Sequence, residues 1–220
     1  MGIDKEFQNQ YWKAHEQSSE FRHRACLDFI ANKGSILDLG CGDGHLLAKL
    51  KDQGFTSLAG LDISEVAVEK AKTMGLDAKV FDFFADKLPY PDDSFDYVVL
   101  LDVLEHLFQP ADILQEAARV SKKYILISVP NFNSLPVRLQ VLCGKVPENN
   151  RPGKGHIYWF NYQALKNIFK QNNLEIVELR VNTFWENKFL IKYLLIILKR
   201  LFPKLFGLSF LIKVKKIHAR

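Results

Sequence analysis

Cysteine is scarce in this chain, and its three cysteines stand far apart. Cys26, Cys41 and Cys143 are odd in number and form no Cys-x-x-Cys pair. Such cysteines fit neither a disulfide framework nor a structural zinc site. The sequence therefore predicts no metal and a reducing, cytoplasmic setting.

Long apolar runs are also lacking. No stretch reaches the ~18 uninterrupted apolar residues of a membrane-spanning helix, and the first residues, Met-Gly-Ile-Asp-Lys-Glu, contain no apolar signal core. Acidic residues are absent from 188–220, which carries nine Lys or Arg, whereas the remaining chain has 21 basic and 25 acidic residues. Because the positive charge belongs to the tail, we expect no duplex nucleic acid as a partner.

The composition is that of one globular domain: 220 residues, 48% hydrophobic and 25% charged. Short apolar runs alternate with amphipathic stretches, which is typical of an α/β protein with a parallel sheet. The predicted strands are 35–39, 57–62, 78–82, 95–101, 124–129, 174–181 and 208–217. The predicted helices lie within 5–32 and at 43–53, after Ser64, and at 110–120, 137–142 and 162–172.

The most informative segment is Ile-Leu-Asp-Leu-Gly-Cys-Gly-Asp-Gly at 36–44. A short apolar strand carries Asp38, and glycines follow at positions 40, 42 and 44. Glycine tolerates unusual dihedrals and leaves room for a ligand against the backbone. The helix predicted after this loop would turn its N-terminal amides toward the same space. The pattern predicts a cofactor cradle, although glycines also collect in plain turns.

Aspartates stand at the ends of three successive predicted strands: Asp38, Asp62 and Asp82. Carboxylates avoid burial unless something pairs with them, so packing alone explains this pattern poorly. In an open α/β sheet the carboxyl ends of the strands form the ligand crevice. These three side chains are therefore predicted to meet a bound ligand.

Four motifs together resemble class I S-adenosylmethionine-dependent methyltransferases of the type 11/23 group. They are the glycine loop at 38–44, Leu-Asp-Ile-Ser at 61–64, Leu-Pro-Tyr-Pro-Asp-Asp-Ser-Phe-Asp at 88–96 and Val-Leu-Glu-His-Leu at 103–107. A looser likeness extends the resemblance to about 34–181, and residues 129–148 are similar to the methionine-biosynthesis protein W branch.

The resemblance implies a Rossmann-like three-layer sandwich with a mostly parallel seven-stranded sheet and an antiparallel final strand. Residues 1–33 would form an N-terminal helical cap, and residues 34–220 the methyltransferase domain. Within that domain, 130–155 would be a substrate loop and 184–206 a basic-apolar helical insertion.

The resemblance also implies S-adenosylmethionine as the cofactor. Asp38 would order its ammonium, Asp62 would accept both ribose hydroxyls, and Asp82 would accept from the adenine amine unless it merely starts a turn. The full set of implied cofactor contacts is Asp38, Gly40, Cys41, Gly42, Gly44, Asp62, Ile63, Asp82, Phe83, Leu101 and His106.

The sequence offers fewer indications of the residues that bind the methyl acceptor. Methyl transfer depends mainly on alignment, but an oxygen nucleophile usually needs help to lose its proton. His106 and His156 are the candidate bases, and each also has a plain interpretation as a residue that shapes the pocket or caps a loop. The candidate substrate contacts are Tyr11, His15, Asn131 and Tyr158.

We therefore expect a methyltransferase that acts on oxygen of a small-molecule or lipid-linked acceptor. The alternative is a non-catalytic protein of the same fold that binds cofactor or a partner. A nicotinamide dehydrogenase is disfavoured, because His45 stands where its fingerprint has the third glycine.

Residues 189–212 mix apolar clusters with four basic residues, Lys192, Lys199, Arg200 and Lys204. Two placements stay open for this segment. It can lie as a basic amphipathic helix on the anionic inner face of a membrane, bringing the pocket to a lipid-linked acceptor. Alternatively, it can pack on its own domain or on a second subunit of a homodimer.

Overall fold

The computed structural model describes residues 5–15, 20–83, 87–151, 154–182 and 196–217. Its centre is a seven-stranded sheet with strand order β3-β2-β1-β4-β5-β7-β6. The strands are β1 (Ile36–Leu39), β2 (Leu58–Asp62), β3 (Ala78–Val80), β4 (Phe95–Leu101), β5 (Ser121–Pro130), β6 (Leu174–Val181) and β7 (Ser209–Lys216).

Strand direction confirms the predicted fold class. β1 pairs in parallel with β2 and β4, and the parallel pairing continues to β3 on one side and β5 on the other. β7 runs antiparallel between β5 and β6. The strand order reverses at the junction of β1 and β4, and such a junction opens a crevice at the carboxyl ends of the strands.

Helices cover both faces of the sheet. They are α1 (Lys5–Ala14), α2 (Glu20–Phe29), α3 (His45–Asp52), α4 (Glu65–Thr73), α5 (Pro110–Val120), α6 (Leu135–Leu142), α7 (Tyr162–Gln171) and the short α8 (Pro203–Phe206). Apolar side chains of α2, α3 and α4 form one core with the sheet, and those of α5 and α7 form the other. This is the three-layer arrangement that the resemblance implied.

Local chemistry sets several helix boundaries. The Ser64 hydroxyl accepts from the amide of Ala67 at the start of α4, as predicted. The Asn161 side chain caps α7 in the same way by accepting from Ala164 N. On α5, Ile113, Leu114, Ala117 and Val120 are buried, which is the spacing of one helical face.

The main differences from the predicted elements lie at strand and helix ends. β3 ends at Val80 rather than at residue 82; the amide of Phe81 still donates to the Asp62 carbonyl of β2, and the chain then leaves the sheet. The helix predicted over 137–142 begins two residues earlier, since Pro136 is tolerated in a first helical turn. Predicted strand 124–129 is longer in both directions.

The basic-apolar insertion is described only in part. Residues 196–201 are helical, and α8 follows at Pro203. Residues 184–195 of the predicted insertion 184–206, which include Lys192, lie outside the described residues. No helix among the residues that the structure describes is long and apolar enough to cross a membrane.

Candidate cofactor and acceptor site

The glycine loop after β1 has the backbone shape that its sequence predicts. Gly42 (φ 54°) and Gly44 (φ 84°) adopt left-handed conformations that disfavour residues with a β-carbon. The amides of Gly40 and Cys41 donate to the Leu61 carbonyl at 2.7 and 3.1 Å, tying the loop to the end of β2. α3 then begins at His45, immediately after Gly44.

Asp62 lies at the end of β2 and is 6% exposed. One carboxylate oxygen accepts from Gly42 N and the other from Ser64 N, both at 2.8 Å. Burial raises the pKa of this carboxyl, whereas the two amides lower it. Each oxygen can accept two hydrogen bonds, so each retains a lone pair that suits a ribose hydroxyl.

Asp38 lies next to this site on β1 and is 3% exposed. Burial, followed by the negative charge of Asp62, raises the pKa of Asp38 to about 7. A cation placed beside Asp38 would favour its charged form. The site therefore suits the ammonium group of an amino-acid ligand, and together with Asp62 it fits S-adenosylmethionine.

Asp82 and Phe83 follow β3, at the same end of the sheet as Asp38 and Asp62. Asp82 is exposed, and the Phe83 ring lies 5.9 Å from the ring of Phe81. Ile63 directly follows Asp62, and Leu101 is the last residue of β4 and is 8% exposed. All of these predicted cofactor residues lie at the carboxyl ends of β1 to β4.

The N-terminal helices contribute contacts to this site that sequence reasoning missed. Asn9 of α1 accepts at 2.8 Å from the Ser64 hydroxyl. Arg22 of α2 forms an ion pair with Asp102, the residue after β4, and Asp102 has a positive φ of 56°. In the sequence, Asn9 and Arg22 lie among ordinary polar helix residues and belong to no motif.

Tyr11 of α1 and His15, the residue after this helix, are predicted substrate contacts, and their rings stack with centroids 4.3 Å apart. Tyr11 is 41% exposed. The His15 ring contacts the carbonyl of Tyr11 through Nδ1 at 2.9 Å. The structure thus places both rings together at the C-terminal end of α1.

A second polar cluster follows β4 and consists of Glu105, His106 and His156. One carboxylate oxygen of Glu105 and one ring nitrogen of each histidine all lie within 4.8 Å of one another. Glu105 is 1% exposed, neither of its carboxylate oxygens has a hydrogen-bond partner among the described residues, and burial raises its pKa to about 8. Sequence reasoning proposed both histidines but missed Glu105 as their partner.

Backbone hydrogen bonds hold this cluster together. The Glu105 carbonyl accepts from the amides of Ile157 and Tyr158, both at 2.9 Å. The Nδ1 atom of His106 lies 3.0 Å from the Gly155 carbonyl oxygen. Because a carbonyl can only accept, Nδ1 carries the proton and Nε2 of neutral His106 is an acceptor. Burial lowers the pKa of His106, which favours this neutral form.

A pocket with aromatic walls opens beside Glu105 and His156. The rings of Phe132 and Trp159 stack at 4.7 Å with an interplanar angle of 9°, and Trp159 is 55% exposed. The lining residues are Glu105, Pro130, Phe132, Asn150, His156, Tyr158, Trp159 and Phe160.

Asn131, a predicted substrate contact, instead forms hydrogen bonds that join two segments of the chain. Its side-chain amide donates to the carbonyls of Lys204 and Gly207 at 2.9 and 2.7 Å, and its oxygen accepts from Asn133 N at 3.0 Å. The residue is 0% exposed. Both N–H groups are used, so Asn131 joins the end of β5 to α8 and has no proton left to donate to an acceptor.

Comparison with known proteins identifies a recognised domain type in this chain. The model of the family described as "methyltransferase domain" matches residues 11–179, which include the glycine loop, the strand-end aspartates and the Glu105 cluster.

Two curated relatives show the range of that similarity. The bifunctional methionine biosynthesis protein MetXA/MetW of Rhodopirellula baltica is 31% identical over 61% of this chain and 23% of its own length. The 27-O-demethylrifamycin SV methyltransferase of Amycolatopsis mediterranei is 34% identical over 46% of this chain and 39% of its own. The chain therefore spans less than half the length of these relatives.

A solved structure shares the whole architecture. The crystal structure of magnesium protoporphyrin IX methyltransferase from Synechocystis with bound SAH has a TM-score of 0.66 and covers 96% of this chain and 93% of that one. At 15% identity, the likeness concerns the fold.

Proposed function

This chain belongs to the methyltransferase-domain family, and we propose that it transfers the methyl group of S-adenosylmethionine to an oxygen of a small-molecule or lipid-linked acceptor. The observation that carries the choice of oxygen is the cluster of Glu105, His106 and His156 beside an aromatic-lined pocket. An alcohol or phenol must lose its proton as it reacts, and a neutral imidazole is suited to accept it.

The proposed cofactor contacts lie at adjacent strand ends. Asp38 would face the ammonium, the loop from Gly40 to Gly44 the amino-acid chain, and Asp62 the ribose hydroxyls. Asp82 and Phe83 would face the adenine. When bound, the cofactor supplies a methyl group already activated by its sulfonium, so the chain's main tasks are to align the acceptor and exclude water.

The acceptor would enter from the side of β4 and β5. Glu105 and His106 follow β4, and the glycine loop follows its neighbour β1. The cluster and the cofactor contacts therefore lie at the same carboxyl end of the sheet. Phe132, Tyr158 and Trp159 would hold an apolar or aromatic part of the acceptor. In this arrangement His106 Nε2 is the proton acceptor, and His156 orients the hydroxyl.

The proposed division of the chain follows from these contacts. Residues 1–33 would act as a cap over the cofactor, supported by the contacts of Asn9 and Arg22 with the strand ends. Residues 130–155 would form one wall of the acceptor pocket, supported by Pro130, Phe132 and Asn150 in its lining.

A lipid-linked acceptor draws support from the surface near α8. Ile197, Leu201 and Phe202 are 56%, 65% and 55% exposed, and they lie close in sequence to Lys199 and Arg200. Apolar side chains beside basic ones suit the headgroup region of an anionic membrane. We propose a peripheral contact of this surface with the cytoplasmic membrane face.

Transfer of tritiated methyl from S-adenosylmethionine into pools of phenols, aliphatic alcohols and polyprenyl-linked alcohols tests the proposal. We expect labelled ethers or esters from at least one pool, and at least 100-fold slower transfer in His106→Asn. An amine or thiol product would refute oxygen as the target. Tight cofactor binding without product in any pool would favour the non-catalytic alternative.

A further inference from the structure

We propose that Glu105, His106 and His156 bind a divalent transition-metal ion. Two imidazoles and one carboxylate are a common set of three protein ligands, and three ligands leave a coordination position open for water or substrate. The cysteine content predicted no metal site, and this proposal reverses that prediction, because the ligands here are histidine and glutamate. No cysteine pattern could have indicated them.

The strongest support is the state of the Glu105 carboxyl. It is 1% exposed, and neither oxygen has a hydrogen-bond partner among the described residues. Leaving such a group unpaired in the interior is costly. The His156 ring lies beside this carboxylate, but its Nε2 is 3.9 Å from the nearer oxygen, too far for a hydrogen bond. A bound cation would satisfy both oxygens.

The second support is the orientation of His106. Its Nδ1–H points at the Gly155 carbonyl at 3.0 Å, so the lone pair of Nε2 is the one left for a ligand. Metal-binding histidines typically donate their other ring N–H to a carbonyl or carboxylate in this way. The rings of His106 and His156 lie 4.8 Å apart at an interplanar angle of 71°, so they do not stack face to face.

The donor atoms of the three side chains would have to approach one another only slightly to bind one ion. One Glu105 oxygen and one ring nitrogen of each histidine lie within 4.8 Å of one another. Bonds of about 2.0–2.2 Å to one ion would place the donor atoms roughly 3–3.5 Å apart. His156 stands on the segment after Gly155, which has a φ of 68° and no regular secondary structure. Arg22 forms an ion pair with Asp102 and also interacts electrostatically with Glu105.

The ligand set also indicates the class of metal. Imidazole nitrogens favour zinc, cobalt, iron or nickel, whereas magnesium and calcium prefer oxygen ligands. The binding site is independent of the proposed function. A catalytic task for the ion rests on that function: the acceptor hydroxyl would take the open position, and its lowered pKa would release the proton to water. His106 would then be a ligand rather than the base.

Titration of the chelator-treated full chain with Co²⁺, followed by visible absorption, tests the site. We expect one Co²⁺ per chain with ligand-field bands, displacement by equimolar Zn²⁺ and no displacement by millimolar Mg²⁺. Glu105→Gln and His156→Asn should each weaken Co²⁺ binding at least tenfold while the melting curve shows a folded protein.

His45→Asn is the matched control, because His45 Nδ1 lies 2.8 Å from Asp43 in a histidine–carboxylate pair outside the cluster. Its Co²⁺ affinity should be unchanged. A folded parent protein that binds no Co²⁺, or cluster variants that bind as tightly as the parent, would overturn the proposal. Metal binding without methyl transfer would leave this site standing and count against the proposed function instead.

Discussion

The indole ring of Trp12 lies directly against Gly42. A β-carbon placed on Gly42 would stand 2.5 Å from two carbons of that ring, and Trp12 itself is only 8% exposed. The first helix therefore covers the glycine loop at the point where the amino-acid end of the cofactor is proposed to bind. Glycine at position 42 therefore allows two things: the left-handed conformation of the loop and the close packing of α1 against it.

We predict that Gly42→Ala destabilises the fold by about 1–3 kcal/mol, from left-handed strain and the clash with Trp12. In a Trp12→Ala background the same change should cost only the strain, about 1 kcal/mol. Chemical denaturation of the four proteins measures this coupling. Equal costs in both backgrounds would show that Trp12 does not press on Gly42.

Asp62 and Asp82 make a matched pair for cofactor binding. Asp62→Ala should weaken S-adenosylhomocysteine binding by roughly 1.5–3 kcal/mol through loss of charge-assisted hydrogen bonds to ribose. Asp82→Ala removes a single bond to adenine from an exposed side chain, so the loss should be at most about 1.5 kcal/mol. Calorimetry compares them, and a larger loss for Asp82 would contradict the ribose assignment.

Asp38 should make the stability of the ligand-free protein depend on pH. Its pKa is about 7 in the fold against an ordinary value of 3.8, so its contribution to the unfolding free energy is fully present below about pH 4 and is lost as pH rises to about 7. The decline attributable to this one group is on the order of 2–4 kcal/mol.

The comparison with Asp38→Asn isolates that decline, because Asp62 and Glu105 also have raised pKa values and act in the same direction. Denaturant unfolding at several pH values should show a shallower decline in the variant. Saturating S-adenosylhomocysteine should also flatten the parent's curve, since its ammonium favours the carboxylate. Parallel curves for parent and variant would count against the assignment.

Charge at the surface near α8 should control vesicle binding. The parent is expected to co-sediment with vesicles containing anionic lipid more than with neutral ones. Lys199→Glu/Arg200→Glu should weaken this at least tenfold, at about 1 kcal/mol per basic residue. Lys122→Glu/Lys166→Glu, which reverses two exposed lysines elsewhere, is the control. Binding that ignores lipid charge, or equal losses in both variants, would refute the membrane contact.

Much of the fold could be predicted because its signals are local. Strands 95–101 and 174–181 are bounded as predicted. The first is a nearly continuous apolar run, and the second begins directly after the turn residues Asn172 and Asn173. The Ser64 and Asn161 caps follow from side chains that accept from amides three residues on. The motif at 38–44 also predicts its own backbone, because its glycines occupy left-handed positions.

The acceptor side was harder to predict because its contacts are long-range. Glu105 and His156 are 51 positions apart, and only the return of the chain after Gly155 brings them within 3.9 Å. Asn131 follows a strand end, as site residues often do, yet its partners Lys204 and Gly207 lie in a distant segment. Local sequence alone does not reveal which polar groups at strand ends are already paired.

Calorimetric titration of the full chain with S-adenosylhomocysteine, and in parallel with NAD⁺, measures directly which class of cofactor the crevice binds. The assignment of this crevice to S-adenosylmethionine predicts that one S-adenosylhomocysteine binds per chain, that NAD⁺ gives no binding heat, and that Asp62→Ala reduces the affinity for S-adenosylhomocysteine. A folded chain that binds NAD⁺ instead, or neither ligand, would contradict it.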